Sequence, residues 1–192
     1  MVSSSKVDAK LQRLIDDPTE ALTARERALA VEHIARAAFS AESRPVVEWS
    51  KGFADVRGEP HPTKAGEVLE DSTLLTSAEW HTVKRVVQGH WTTGTTTSEY
   101  LADIAAAVRS PGAVLDVGKE TIRVSGATRP ASRAGVRVGR LRGVKKAVAL
   151  PVDSVMVTMY DVARKKLVTC FPKPLRDAEK DVQRWANHRS FP

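Results

Sequence analysis

Thr96-Thr97-Ser98-Glu99-Tyr100-Leu101-Ala102-Asp103-Ile104-Ala105-Ala106-Ala107-Val108-Arg109-Ser110-Pro111-Gly112-Ala113-Val114-Leu115-Asp116-Val117 is the stretch where the chain changes period. Thr96 and Glu99 have the spacing of a capping box, in which each side chain satisfies a backbone N–H left open at a helix start. Behind them Leu101, Ile104, Ala105 and Val108 share one helical face, and Pro111-Gly112 closes the helix. From Ala113 onward apolar and β-branched residues alternate with a period of two, as in a strand. Helices precede this point and strands follow it.

Working upstream, Thr76 and Glu79 form a second capping box, opening a helix through about Gln88 with Gly89 as its left-handed cap. Thr23 and Glu26 form a third, with Val31, Ile34, Ala35, Ala38 and Phe39 on one face. Val7, Leu11, Leu14 and Ile15 mark an earlier helix that Asp16-Asp17-Pro18 stops. Between Pro45 and Asp71 the pattern breaks at Gly52, Gly58, Pro60, Pro62 and Gly66, which reads as a loop or linker with one short helix or strand, and as a domain boundary. Downstream, residues 113–117, 121–125, 136–141, 146–150, 154–160 and 166–171 read as strands, the last two joined as a hairpin by 161–165. Residues 176–186 read as a short polar helix. The expected fold is α+β, N-terminal helices followed by a small twisted antiparallel β-sheet. The expected division is 1–44 helical, 45–75 linker and 76–192 functional domain.

The 192 residues carry a formal net charge of +7, and that average hides a split. Residues 1–117 hold 13 basic and 17 acidic residues, whereas 118–192 hold 17 and 6. The β region is therefore strongly basic, a field suited to a polyanion. A single cysteine, Cys170, excludes an intramolecular disulfide and a zinc site built mainly from thiolates. Cys170 itself reads as a small core residue. No apolar run approaches the ~20 residues that cross a bilayer, and Met1–Lys6 lacks the apolar core of a secretory signal. The expectation is a soluble protein acting in a cytoplasm, with no membrane insertion, and with delivery to another cell left open.

The helix after Thr76 holds the candidate chemistry. Trp80, Val83 and Val87 fall on one stripe; His81, Lys84, Arg85 and Gln88 fall on the other, as a polar cationic face. His90 follows just past Gly89, where the helix dipole favours the protonated ring. Metal-free RNA cleavage needs such groups: one removes the 2′-OH proton, one protonates the leaving 5′-oxygen, and cations stabilise charge on phosphorus. An ordinary solvated helix face has the same pattern. The Thr-rich run 92–97 has one glycine and no phosphate-loop pattern, and no GxSxG nucleophile turn appears. The five histidines lack metal-ligand spacing, so neither metal nor cofactor is expected, and His33 reads as an ordinary surface residue.

Several of these residues fall in a familiar order. Glu79-Trp80-His81-Thr82-Val83, then Gly89-His90-Trp91, then Tyr100-Leu101-Ala102-Asp103-Ile104 and Val108-Arg109-Ser110-Pro111, then Val168-Thr169-Cys170-Phe171-Pro172 resembles the Barnase–EndoU–colicin–RelE-like RNase domains of bacterial polymorphic toxins. The resemblance covers about residues 76–174. It implies a metal-independent endoribonuclease, with His81 or His90 as general acid or base. Lys84 or Arg85 would stabilise charge, and Thr169 would supply a phosphate-binding hydroxyl. Arg123 and Arg137, Arg140 and Arg142 would bind the RNA backbone, with Tyr160 on a base. It also implies RNA (tRNA included) as substrate and an acidic immunity protein as partner. The long N-terminal helical region has no counterpart in the minimal toxin domain. The competing expectation is a non-catalytic basic nucleic-acid-binding or phage/mobile-element structural protein.

Overall fold

The computed structural model describes residues 4–17, 19–51, 55–118, 120–127, 130–141, 144–149, 154–174 and 177. The fold is α+β. The elements are α1 (Ser4–Asp16), α2 (Ala24–Ala35), β1 (Ser43–Pro45), α3 (Val46–Trp49), β2 (Leu74–Thr76), α4 (Ser77–Val87), α5 (Thr97–Val108) and β3 (Val114–Val117). They continue with β4 (Thr121–Gly126), β5 (Val136–Leu141), β6 (Val144–Ala149), β7 (Ser154–Asp161) and β8 (Lys166–Pro174). Sequence position 150 of the expected fourth strand, and 176–186 apart from Asp177, lie outside the described residues.

The chain divides into two compact units, each assembled from separated stretches: Met1–Ala37, Ile104–Thr128 and Asp153–Pro192 in the first, Ala38–Asp103 and Arg129–Val152 in the second. This differs from the linear division expected at 45–75. In the first unit α1 packs on α2 and on β4, and the sheet runs β3-β4-β7-β8, antiparallel throughout. Ile122, Val124, Met156, Tyr160, Leu167 and Cys170 are among its buried side chains. A register shift between Met159 and Tyr160 makes a bulge: Met159 opposes Thr169, while Tyr160 opposes Leu167. Bulges of this kind re-aim a side chain and recur beside active sites.

In the second unit the expected linker supplies most of this core cluster. Val46, Val56, Leu69 and Leu75 pack with Trp80 and Val83, and Trp49 stacks on Trp80 at 5.1 Å. These residues are spaced by turns and prolines, so no period betrays them. Strands β5 and β6 form a separate two-stranded ribbon and do not join the four-stranded sheet. Their stretch, 136–149, carries five basic residues and no acid, a composition that a sheet interior does not accept.

All three capping boxes form. Thr23, Thr76 and Thr96 each accept from the N–H three residues on and receive the glutamate in return, a local device contributing about 1 kcal/mol per cap. Gly89 takes φ 69°, the left-handed conformation glycine adopts without strain.

Candidate active site

Helix α4 turns its expected cationic face inward. Ser77 and every residue from Trp80 to Arg85 are buried, with Trp49 stacked on Trp80 and Phe39 on His81. His81 is 8% exposed, stacked on Phe39 at 4.7 Å and edge-on to Trp80 at 4.9 Å. Burial, then the nearby charges of Arg85 and Lys84, push its imidazole down to about 3. The ring is therefore neutral near pH 7. Its Nδ1 is buried with no hydrogen-bond partner among the described residues. His81 is a core aromatic and is not placed to exchange protons with a substrate. Lys84 and Arg85 are each 7% exposed. The Lys84 ammonium lies 4.7 Å over the Trp80 ring, and Arg85 donates to Gln88 Oε1 at 2.7 Å. Burial and the Arg85 charge bring Lys84 down to about 8.

His90 occupies a tightly held turn in the same unit. Its N–H donates to Arg85 O at 2.8 Å, and its carbonyl accepts from Gly135 N at 3.4 Å. Next to it Trp91 Nε1 donates to Asp103 Oδ2 at 3.0 Å, and Arg133 Nε donates to the same oxygen at 2.8 Å. A second Arg133 N–H reaches Asp103 Oδ1. Asp103 is thus a buried clamp that ties the His90 turn to the entry of the basic ribbon. Arg137 and Arg140 lie in β5, and Arg142 lies outside the described residues.

Thr169, Arg123 and Tyr160 belong to the first unit. Arg123, expected on RNA, is 1% exposed in β4. It stands opposite Asp116 in register, where burial raises the Asp116 carboxyl and the Arg123 charge offsets part of that rise. Thr169 opposes Met159, whereas Tyr160 opposes Leu167 beyond the bulge. Alternation along the strands therefore sets Thr169 on the other face of the sheet from Tyr160.

Tyr160 leads to a set of groups that the sequence reading did not assemble. His33, from the last turn of α2, lies with Nε2 2.7 Å from Asp8 Oδ1 and 3.0 Å from the Tyr160 hydroxyl. Tyr160 donates to the same Asp8 oxygen at 3.2 Å. Lys165, in the β7–β8 turn, reaches Asp8 Oδ2 at 3.1 Å. Burial works against ionisation of Asp8, but Lys165 and His33 outweigh it and hold the carboxyl below its ordinary range. Burial and the Asp8 charge push the Tyr160 phenol well up, so it stays protonated. Comparison with family models, curated proteins and solved structures finds no match. The geometry alone therefore speaks for this site.

The cleft beside these groups measures about 450 Å³, within the range of ligand pockets. His33, Tyr160, Lys165, Glu32 and Arg36 give its polar lining, and Val7, Leu29 and Ala37 its apolar wall. Arg109 and Arg36 hold the Glu32 carboxyl at about 2. His33 is half-buried and hydrogen-bonded, not an ordinary surface residue. The available signal was its position beside buried Ile34, at the edge of the apolar face of α2. Nothing in sequence linked it to Asp8 or Tyr160. The carboxylate sets the Nε2 proton of a neutral His33 and makes Nδ1 the basic nitrogen, an arrangement suited to proton transfer.

Proposed function

We propose that the protein is a metal-independent ribonuclease whose proton-transfer group is His33. One observation carries this reading: an imidazole whose Nε2 meets both a carboxylate and a phenol at the wall of a cleft whose remaining polar groups include Lys165 and Arg36. Neutral His33 takes the proton of a ribose 2′-OH, and that oxygen attacks phosphorus. The P–O5′ bond breaks, leaving a 2′,3′-cyclic phosphate, and the Lys165 ammonium gives the departing 5′-oxygen its proton. Arg36 offsets charge on the phosphoryl oxygens. Asp8 and Tyr160 orient the imidazole. The ribonuclease class comes from the resemblance of residues 76–174 to the Barnase–EndoU–colicin–RelE-like RNases, whereas Asp8, His33 and Arg36 belong to the N-terminal region that has no counterpart there. That resemblance adds an acidic neutralising protein as partner and a cytoplasm as the place of action.

A second reading, RNA binding without cleavage, is favoured by the basic β5–β6 ribbon, with its five cations in residues 136–149. One experiment separates the two. Purified protein is incubated with total RNA and tRNA in EDTA and the product ends are analysed. Cyclic phosphate ends, with His33→Ala lowering the rate about 10²–10⁴-fold, fit the first reading. Intact RNA that nevertheless binds with a steep salt dependence sinks it in favour of the second.

A further inference from the structure

We propose that the groove between α1 and α2 is a binding track for the stretch of RNA strand beyond the two nucleotides joined at the cleaved bond. The inference rests on the reading of the His33 cleft as an RNA-cleaving site, and it names how that site would hold a longer strand. The groove measures about 400 Å³. Leu11, Leu22, Leu29 and Ala30 give it an apolar floor, while Lys6, Arg13 and Arg25 stand exposed at its rim.

Its charge is selective. Lys10, the fourth cation, is already committed to Glu20 and, at 3.5 Å, to Glu26. Glu26 is the acidic residue of the lining, and it also serves the helix cap by accepting from Thr23 N at 2.9 Å. Lys6, Arg13 and Arg25 have no acidic partner among the described residues. An apolar floor beneath unpaired cations suits a nucleotide: the base packs on the floor or under a guanidinium plane, and the phosphate meets the rim.

Continuity with the cleft selects a strand over an unrelated anion. Val7 and Leu29 line both spaces. Arg25, Leu29 and His33 recur every four residues on α2, so they form one stripe, with Arg36 at the helix cap prolonging it. Twelve residues of helix run about 18 Å. One stripe of one helix thus carries the groove's rim, the shared wall and the imidazole in sequence.

The test compares a dinucleoside phosphate with a ten-nucleotide single-stranded RNA, using wild type and the triple variant Lys6→Ala/Arg13→Ala/Arg25→Ala. These side chains are exposed, so an unchanged thermal unfolding curve serves as the folding control. Wild type should have the lower KM on the decamer. The triple variant should raise that KM about tenfold and leave kcat and KM on the dinucleoside phosphate alone. The dependence of log KM on log salt should flatten by roughly 2, from the loss of three single-strand phosphate contacts. An unchanged decamer KM, or an equal loss on both substrates, overturns the track. Failure of wild type to cleave either substrate overturns the ribonuclease reading itself.

Discussion

His33 Nε2 lies 2.7 Å from Asp8 Oδ1, and through this contact α1 is joined to α2 beside β7, the strand that presents Tyr160. Asp8 is buried and His33 half-buried, and the carboxylate has a partner for each oxygen: His33 and Tyr160 on Oδ1, Lys165 on Oδ2. An ionised carboxylate in this position favours the Nε2–H form of the neutral ring.

Asp8→Asn should therefore remove the preference for that tautomer. An amide presents both a donor and an acceptor to Nε2, and the ring is free to carry its proton on either nitrogen. Nitrogen-15 NMR of the imidazole should show one tautomer in the wild type and a mixture in the variant. RNA cleavage should fall about 10²–10⁴-fold. A single Nε2–H tautomer in both proteins would remove Asp8 from its positioning role.

Lys165 supplies the next prediction because its backbone is unusual. It takes φ 55°, a left-handed conformation that costs a side-chain-bearing residue about 1–2 kcal/mol. Lys165→Gly and Lys165→Ala both lose the contact with Asp8, but only glycine also releases this cost. The glycine variant should be the more stable of the two by about 1 kcal/mol. The Asp8 carboxyl is held below its ordinary value. Its stabilising contribution is thus present above the ordinary carboxylate range and is lost as pH falls through the depressed value. Both variants should lose less stability than the wild type on acidification, as read from urea midpoints between pH 5 and pH 3.

What was legible in the sequence was local. Each capping box joins a threonine to a glutamate three residues away, and Gly89 answers to its own helix end, so neither needs the rest of the chain. The alternation after Ala113 likewise led to the strands. The candidate site was illegible for the opposite reason: Asp8 and Tyr160 are 152 residues apart, and His33 gained its role only when α2 met both. For α4, helical spacing divided the residues into two faces correctly but carried no information on how many faces would be covered. The core contribution of 45–75 was illegible because Val46, Val56, Leu69 and Leu75 reach one core through turns, without a period.

Gly135 tests the clamp beside His90. A Cβ there would lie 2.5 Å from the carbonyl oxygens of both Gly89 and Trp91, and backbone on both sides cannot yield as a flexible side chain would. Gly135→Ala should cost about 1–3 kcal/mol, the usual range for overpacking. Gly112→Ala is the control, since its Cβ meets open space and only the φ of 76° is strained. Urea unfolding followed by tryptophan fluorescence reads both. Equal stability of wild type and Gly135→Ala would show that the turn and the ribbon entry are not closely held.

His81 gives a pH signature separate from any activity. Its imidazole stands at about 3 in the folded protein, against about 6.5 for an unperturbed histidine. The folded state therefore binds fewer protons than the unfolded chain over that window, and stability falls as pH falls below about 6.5. At pH 5 the loss from this one ring should be about 2 kcal/mol relative to pH 7, using about 1.4 kcal/mol per pH unit. His81→Phe keeps a flat ring against Phe39 and removes the buried Nδ1 that lacks a partner. The variant should be at least as stable as the wild type at pH 7 and clearly more stable at pH 5, while RNA cleavage by the His33 site is unchanged. If its urea midpoint falls between pH 7 and pH 5 as steeply as the wild type's, His81 is not the neutral core ring described here, and its place in proton transfer reopens.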